Sequence, residues 1–162
     1  MITQEKHVDI LLVEDNPDDA MLTLRAFKQR DMGDRVFHVI DGDEALDFIF
    51  ATNMYGEWAL MTAPKLILLD LKLPKLDGLE VLKAIRSDVR TKAIPVVILT
   101  SSKEQQDIIE GYKSGASAFI QKPVEFEHFR RTIKEIGTFW LVVNQSPPAE
   151  VFEPSSQKQA SA

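Results

Sequence analysis

Acidic side chains stand at the ends of two short apolar runs. Glu14 and Asp15 come directly after the run Ile10–Val13. Asp70 comes directly after the run Leu66–Leu69. Three carboxylates gathered within a few ångströms repel one another, so such a cluster needs a cation to persist. Because every ligand is an oxygen atom, the set favours magnesium, which typically binds one or two carboxylates together with phosphate oxygens.

A hydroxyl and an ammonium group stand near the ends of two later apolar runs. Thr100 follows the run 96–99, and Lys122 comes two residues after the run 118–120. Both side chains can donate hydrogen bonds to phosphate oxygens, and the lysine adds a positive charge. With Asp70 as the nucleophile, this combination predicts transfer of a phosphoryl group to a carboxylate.

Each of these residues also has an ordinary structural role when it is considered alone. The acidic pair, followed by Asn16 and Pro17, suits a strand-to-helix turn with an acidic helix start. An acid such as Asp70 at a strand end is commonly a cap or turn residue. Thr100 could begin the capping turn of the fourth helix, and Lys122 could be an ordinary solvated lysine. The combination, rather than any single member, favours a functional site.

The elements that would gather these residues are those of a parallel α/β sheet. Short apolar runs alternate with segments whose apolar residues recur at helical spacing. Strands are predicted at residues 8–13, 36–40, 66–69, 96–99 and 118–120. Continuous apolar runs are typical of strands that are covered on both faces. We predict a five-stranded parallel sheet of order 2-1-3-4-5 with helices on both faces, whose first, third, fourth and fifth strand ends converge on one edge.

Capping residues and apolar spacing predict the helices. Pro17 marks the start of the first helix, and Asp43 is predicted to cap the second. Ser101 and Glu104 have the spacing of a capping box for the fourth helix, which has little apolar surface and should be loosely held. The fifth helix is predicted to continue to Val143. The inward-facing residues predicted for the second and third helices are Leu46, Ile49, Phe50, Leu79, Leu82 and Ile85.

Composition limits the classes of function. The chain has 162 residues, 44% of them hydrophobic, which suits one well-buried domain. A net charge of -6 disfavours non-specific binding to nucleic acid or an anionic membrane, and the absence of cysteine excludes disulfides and thiolate sites. The N-terminus lacks the pattern of a signal peptide and no apolar run is long enough to span a bilayer, so a cytoplasmic location is expected.

The motifs at the strand ends resemble those of the receiver domain of two-component response regulators. The residues that carry the resemblance are Glu14-Asp15, Asp70, Leu73-Pro74, Asp77-Gly78, Thr100 and Lys122-Pro123. The resemblance extends over residues 8–143 and implies the flavodoxin-like receiver fold. It also implies that Asp70 accepts a phosphoryl group from the phosphohistidine of a sensor histidine kinase, and that the protein catalyses its own phosphorylation and dephosphorylation instead of acting as an enzyme on other substrates.

The resemblance implies specific roles around the phosphoacceptor. Asp15 and Asp70 would ligate Mg²⁺ directly, together with the backbone carbonyl of Lys72, while Glu14 would act through water. Lys122 would pair with the phosphoryl oxygens. The peptide bond between Lys122 and Pro123 would be cis, as in the family.

Two further residues are implied to transmit the change. Thr100 would move toward the phosphoryl group and open space for Phe119, which occupies the position of the family's switch aromatic. New negative charge at this edge would then repack the face formed by the fourth helix and the fifth strand.

The sequence departs from the family pattern just after the phosphoacceptor. Leu73 replaces the frequent methionine, which is a mild change in packing. Lys72 stands where a small or polar residue is common. Its side chain could reach over the phosphoryl group and hinder the attacking water, so we expect slow self-dephosphorylation.

Three longer features resemble cyanobacterial phytochrome response regulators in particular. They are the run 10–20, the run 69–80 and the insertion 52–64. This narrower resemblance implies a phytochrome kinase as the partner. No output domain for DNA binding is expected after the fifth helix, so the output would come from protein contacts without direct binding of nucleic acid or membrane.

The composition of the chain changes after residue 143. Residues 1–143 are expected to form the receiver domain, and the Ser/Pro/Gln-rich residues 144–162 a flexible tail. A short anchor around Val151 and Phe152 is the alternative.

The end of the fifth helix is apolar almost all round, more than one buried stripe requires. A homodimer is predicted through Phe139, Trp140 and Val143. The alternative is that this end folds back over the core or over the insertion 52–64.

Three competing functions share parts of this pattern. An aspartate-dependent phosphatase would also use a strand-end aspartate and magnesium, but it would want a second acid where Lys72 stands. A flavin mononucleotide carrier would want a phosphate-cradling first turn, where Glu14 and Asp15 would repel the phosphate. A receiver-like scaffold that binds partners without phosphorylation keeps the fold but leaves the acidic set and Lys122 unexplained.

Overall fold

The computed structural model describes residues 4–56, 58–60 and 63–153. The strands in these residues are β1 (Gln4–Lys6), β2 (Ile10–Val13), β3 (Val36–Val39), β4 (Trp58–Leu60), β5 (Leu66–Leu69), β6 (Val96–Thr100) and β7 (Ala118–Gln121). Five of them form a parallel sheet of order β3-β2-β5-β6-β7. Counted along the chain within this sheet, the order is 2-1-3-4-5, so the predicted topology is confirmed.

Helices connect the strands of the main sheet. They are α1 (Pro17–Lys28), α2 (Gly42–Phe50), α3 (Gly78–Ser87), α4 (Gln105–Lys113) and α5 (Phe126–Thr138). Within the described ranges, none of the helices has both the length and the apolar character needed to cross a bilayer.

Alternate residues of the central strands pack into two separate hydrophobic cores, one on each face of the sheet. On β2, Leu11 and Val13 belong to the core beneath α2 and α3, while Ile10 and Leu12 belong to the core beneath α1 and α5. No residue of β2 or β5 is more than 2% exposed. Because both faces are covered by helices, both faces must be apolar, which explains the continuous runs in the sequence.

The cap of α2 lies two residues before the predicted one. Asp41 has an extended backbone and its carboxylate accepts a hydrogen bond from the backbone N–H of Glu44 at 2.8 Å. Asp43 is already inside the first turn, so the prediction that it caps the helix was wrong. An acid in that turn still interacts favourably with the helix dipole.

The buried face of α2 is rotated from the predicted one. Phe48 is buried, stacks on the Phe37 ring at a centroid distance of 4.3 Å and meets the edge of Tyr55 at 5.3 Å. Tyr55 belongs to the insertion 52–64, which the helix pattern alone does not reveal. The predicted inward residues Leu46, Ile49, Phe50 and Leu79 are half-buried, whereas Leu82 and Ile85 are buried as predicted.

The start of α4 lies three residues beyond the predicted one, because Glu104 and not Ser101 occupies the N-cap position. Ser102, not Ser101, organises this turn: its hydroxyl accepts from the backbone N–H of Glu104 and donates to Asp107. Gly111 is the one buried residue of α4. A Cβ at Gly111 would lie 2.9 Å from Ile98 Cδ1, so the glycine lets this thinly packed helix approach the sheet.

The chain after Thr138 does not continue as an α-helix. Residues Phe139–Val143 form a π-helical turn, closed by a 2.7 Å hydrogen bond from Asn144 N to Phe139 O. The predicted continuous helix to Val143 was therefore wrong in its last turn, where the bonding pattern shifts to a wider ring.

Part of the C-terminal segment packs on the domain. A 3₁₀ turn covers Ala149–Phe152, and Phe152 packs against the core beneath α2 and α3. This contact agrees with the alternative of an anchor near Val151 and Phe152. Residues 154–162 lie outside the described residues, and the domain boundary at residue 143 stays a prediction.

The insertion 52–64 contributes regular structure that the sequence pattern did not reveal. A 3₁₀ turn covers Asn53–Tyr55, and β4 pairs in parallel with β1 in a second, two-stranded sheet. Strands of three residues are too short to show a hydrophobic period.

Replacing Tyr55 by phenylalanine should lower the free energy of unfolding by about 1 kcal/mol. The Tyr55 hydroxyl donates a 2.6 Å hydrogen bond to Glu44 Oε1, which the variant loses while keeping the ring contacts. Urea denaturation of the parent and Tyr55→Phe at neutral pH measures the difference. Tyr112→Phe is the control, because Tyr112 is 52% exposed.

The same pair predicts a dependence on alkaline pH. Burial, and then the hydrogen bond to Glu44, raise the pKa of Tyr55 above its ordinary value. Since the folded state holds this proton more tightly than the unfolded state, the contribution of Tyr55 is complete below about pH 10 and is lost as the pH rises further. The stability difference between parent and Tyr55→Phe should shrink above that pH; a constant difference would contradict the assignment.

Candidate functional site

The register of the sheet brings the predicted acids side by side. Val13 pairs with Leu69, and the N–H of Asp70 donates to the carbonyl oxygen of Val13 at 3.1 Å. Carboxylate oxygens of Glu14, Asp15 and Asp70 lie within 4.8 Å of one another. Glu14 and Asp70 are only 3% and 7% exposed, whereas Asp15 faces solvent.

Lys122 extends its ammonium into this cluster from the end of β7. Its backbone N–H donates to the carbonyl oxygen of Thr100 at 2.7 Å, which continues the pairing of β6 and β7 beyond the strands. The Lys122 Nζ atom lies 2.6 Å from Glu14 Oε1 and 2.8 Å from Asp70 Oδ2. The lysine side chain is 7% exposed, so it is a buried cation and not a solvated surface lysine.

Burial and charge act in opposite directions on these groups. Burial raises the pKa of Glu14 to about 7, although the hydrogen bond and charge of Lys122 lower it. Burial alone would lower the pKa of Lys122, but its hydrogen bonds to Asp70 and Glu14 outweigh that effect and leave the pKa raised. Lys122 therefore stays positively charged at neutral pH and can attract an anionic group to this edge.

Thr100 and Phe119 lie on the strands β6 and β7, as the predicted roles require. Thr100 is completely buried, and its Oγ1 accepts a long 3.4 Å hydrogen bond from the N–H of Ser102. Phe119 is half-buried, packs against the core beneath α2 and α3, and adjoins Gly111 of α4. The hydroxyl and the ring thus occupy neighbouring strands on the side of the sheet that α4 covers.

The structure also places Lys72 and the peptide bond between Lys122 and Pro123, which both adjoin the site. The side chain of Lys72 is exposed, and its N–H donates to Asp70 Oδ1 at 3.3 Å. The peptide bond between Lys122 and Pro123 is trans, because no cis peptide bond occurs in the part of the chain that the structure describes. The expectation of a cis bond was therefore wrong for this structure; trans is the intrinsically favoured isomer before proline.

Gly78, the first residue of α3, allows a close approach of this helix to the segment after β5. A Cβ on Gly78 would lie 2.3 Å from the carbonyl oxygen of Asp70 and 2.7 Å from Leu71 Cα. Asp77 caps the helix by accepting from the N–H of Leu79 at 2.8 Å. The Asp77-Gly78 pair therefore lets the start of α3 press against the segment that carries the phosphoacceptor candidate.

Asp19 was not predicted as a site residue, yet it reaches the same ammonium. Its Oδ2 lies 3.0 Å from Lys122 Nζ. Because Asp15 lies before the N-cap residue Asn16, no helical spacing relates it to Asp19, and no local sequence pattern marks this contact.

The donor set fits a divalent cation that prefers oxygen ligands. Glu14, Asp15 and Asp70 supply three carboxylates close enough to share one ion, and Asp15 is open to solvent. With Asp19 included, four carboxylates lie at this edge, and the ammonium of Lys122 contacts three of them. A second positive charge would relieve the excess of negative charge at this edge.

The apolar residues predicted for a dimer interface are divided between surface and core. Phe139 and Val143 are 47% and 60% exposed, and Val142 is 69% exposed. Trp140 instead packs against the core beneath α1 and α5, with its ring edge-on to Phe139 at 5.0 Å. The end of the helix thus both folds onto the core and leaves an apolar surface.

Comparisons with known proteins agree with this geometry. The family model of the response regulator receiver domain matches residues 10–134. The chain is 42% identical over 138 residues to the probable methanogenesis regulatory protein FilR2 of Methanothrix harundinacea, covering 85% of this chain and 86% of that protein. It is 35% identical over 140 residues to response regulator Rcp1 of Synechocystis sp., covering 86% and 93%.

Solved structures share the fold over nearly their whole length. The phosphorylated cyanobacterial phytochrome response regulator RcpA has a TM-score of 0.80 and 37% identity, covering 89% of this chain and 99% of that one. The Mn²⁺-bound form of Rcp1 has a TM-score of 0.79 and 34% identity, covering 88% and 99%. On the strand-end acids, the buried lysine, the topology and these matches, the chain belongs to the receiver-domain family of two-component response regulators, with cyanobacterial phytochrome response regulators among its relatives.

Proposed function

We propose that this protein accepts a phosphoryl group on Asp70 from the phosphohistidine of a sensor histidine kinase, in a reaction that requires magnesium. It then signals through altered protein contacts. The observation that carries the proposal is the buried ammonium of Lys122, 2.8 Å from Asp70 and 2.6 Å from Glu14. Such a cation prepares the edge for the negative charge that a phosphoryl group brings.

In the proposed step, an Asp70 carboxylate oxygen attacks phosphorus and forms a new P–O bond. The P–N bond to the kinase histidine breaks, and the imidazole nitrogen keeps the electron pair and takes up a proton. Lys122 holds phosphoryl oxygens through charge-assisted hydrogen bonds, and Thr100 donates its hydroxyl hydrogen to another. The switch is reset by hydrolysis. Water attacks phosphorus, the bond between phosphorus and the Asp70 oxygen breaks, and inorganic phosphate leaves the regenerated carboxylate.

The residues proposed to hold Mg²⁺ are Asp15, Asp70 and the carbonyl of Lys72, with Glu14 acting through water. When bound, the ion neutralises negative charge on the phosphoryl oxygens. The acidic cluster and the Mn²⁺-bound form of the relative Rcp1 support a divalent ion at this site.

The proposed readout uses the side of the domain where packing is thin. Movement of Thr100 toward the phosphoryl group would leave room for Phe119 to turn inward. Of the residues in α4, only Gly111 is buried, so this helix can shift with little loss of apolar contact. The proposed donor is a phytochrome kinase, an inference supported by the descriptions of RcpA and the relationship to Rcp1.

The first test is the mass of the intact protein after incubation with magnesium and acetyl phosphate. The parent should gain one phosphoryl group that hydroxylamine removes, because an acyl phosphate on Asp70 is open to that nucleophile, and Asp70→Asn should gain none. Chelation of magnesium should abolish the gain. If neither acetyl phosphate nor a phosphorylated cognate kinase modified the parent, the unphosphorylated scaffold would replace this proposal, whereas turnover of an added phosphate ester would favour the phosphatase.

Lys72 is expected to prolong the phosphorylated state. The backbone N–H of Lys72 donates a hydrogen bond to Asp70, and the Lys72 side chain is exposed. This side chain can therefore cover the phosphoryl group and shield it from water. Lys72→Asn should lose the phosphoryl group several-fold faster, measured by the decay of the phosphorylated mass after removal of the donor.

Lys75→Asn is the matched control for loss of a positive charge from the same loop. Lys75 is exposed and has a φ of 63°, which asparagine tolerates well. Equal decay rates in the parent and Lys72→Asn would contradict the shielding role, as would equal acceleration in both variants.

The protein is further proposed to form a homodimer through the apolar residues Phe139, Val142 and Val143. Val142→Lys should shift the protein toward the monomer, because a charge at a 69% exposed position is harmless in a monomer but is desolvated in an interface. Sedimentation velocity over a dilution series measures the change.

Val124→Lys is the control for the dimer, since Val124 is 96% exposed and lies before α5. It should leave the association unchanged. A parent that stays monomeric at every concentration would refute the dimer, and a Val142→Lys variant that dimerises like the parent would refute this interface.

A further inference from the structure

The third carboxylate on the Lys122 ammonium comes from a helix and not from a strand end. Asp19 Oδ2 lies 3.0 Å from Nζ, beside the contacts of 2.6 Å to Glu14 and 2.8 Å to Asp70. The proposed phosphoryl transfer assigns Asp19 no role. An ion pair with the central lysine of the site nevertheless affects the charge that the incoming group meets.

The backbone of Asp19 is fixed on both sides. Its N–H donates to the side chain of Asn16 at 3.1 Å, and its carbonyl oxygen accepts from the hydroxyl of Thr23 at 2.7 Å. Its carboxylate is therefore presented to Lys122 from the first turn of α1 by a rigid element. The contact is not a chance encounter of two long, mobile side chains.

The hydrogen-bonding capacity of Lys122 is fully used. An ammonium group has three N–H donors, and here three carboxylates lie within hydrogen-bond distance of it. A phosphoryl group on Asp70 needs at least one of these donors. One of the existing contacts must therefore be given up when the phosphoryl group binds.

Burial decides which contact is released most easily. The Glu14 side chain is 3% exposed, so losing its partner would leave a buried carboxylate without compensation. Asp70 carries the phosphoryl group itself. The Asp19 side chain is 30% exposed, so water can replace Lys122 around its carboxylate at little cost.

We propose that Asp19 is a positioning residue that competes with the phosphoryl group for the ammonium of Lys122. In the resting state it draws the ammonium toward α1, and on phosphorylation it exchanges this partner for water. This inference rests on the proposed function of Asp70 and adds an internal competitor that weakens phosphoryl binding at the same site.

Removal of the Asp19 charge should strengthen binding of a phosphoryl mimic. Isothermal titration of beryllofluoride, in buffer with magnesium chloride, is to be compared between the parent and Asp19→Asn. The variant should bind about threefold more tightly, the effect of losing a partly exposed ion pair. Asp19→Ser removes the same charge with a good helix-start residue and should behave alike.

Asp18→Asn is the matched control. Asp18 is adjacent, exposed, in the same helical turn and equal in charge, but it is not one of the three carboxylates on Lys122. Its removal should change affinity much less than removal of Asp19. Asp19→Glu keeps the charge, so its affinity for beryllofluoride should be closer to that of the parent than to that of Asp19→Asn. A purely structural role of the aspartate would not produce this difference between the two variants.

The possible outcomes separate this inference from the function on which it rests. Unchanged or weaker binding by both Asp19→Asn and Asp19→Ser would overturn the competition, and so would an equal gain in Asp18→Asn. Parent protein that neither binds beryllofluoride nor gains a phosphoryl group from acetyl phosphate would overturn the proposed function, and this inference with it.

Discussion

The buried ammonium of Lys122 is the interaction on which the carboxyl edge of the sheet depends. Glu14 and Asp70 are almost inaccessible to water, and each would be costly to keep charged without a partner. Removing one member of such a buried pair typically costs about 3–5 kcal/mol because the other charge is left uncompensated. Lys122 makes the negative cluster tolerable while leaving it electrically unbalanced, and this imbalance is what favours a divalent ion.

The hydrophobic core fixes the position of the carboxyl edge of the sheet. The strands that carry Glu14 and Asp70 are covered on both faces, and the register between Val13 and Leu69 is continued by the hydrogen bond of Asp70. A slip of one residue would turn each buried side chain to the opposite core, so register is strongly specified. The close approach of α3 at Gly78 adds a second constraint on the same segment.

Much of this arrangement could be predicted because its signals are local. Continuous apolar runs mark strands buried on both faces, and a polar residue directly after each run marks the edge where parallel strands end. Combined with right-handed crossovers and the strand order 2-1-3-4-5, these two rules place Glu14, Asp15 and Asp70 together. They also place Thr100 and Lys122 on neighbouring strand ends.

The remaining details depend on geometry that neighbouring sequence does not encode. Asp41 and Asp43 are chemically equivalent caps, and only the extended backbone at Asp41 distinguishes them. The contact of Asp19 with Lys122 joins residues 103 positions apart. The trans bond before Pro123 was missed for a different reason: the expectation came from family resemblance, while the intrinsic preference of the bond favours the observed isomer.

The uneven packing of the sheet gives a change at the acidic edge a preferred direction. On one side, β2 and β5 are fully buried, and movement there would open cavities in two cores at once. On the other side, β7 is half-buried or exposed, and Gly111 is the one buried residue of α4. Added charge near Lys122 should therefore be relieved toward α4 and β7, where the same displacement loses the least apolar contact. The same distribution of buried surface therefore keeps the strands that carry the acids in place and allows α4 to move.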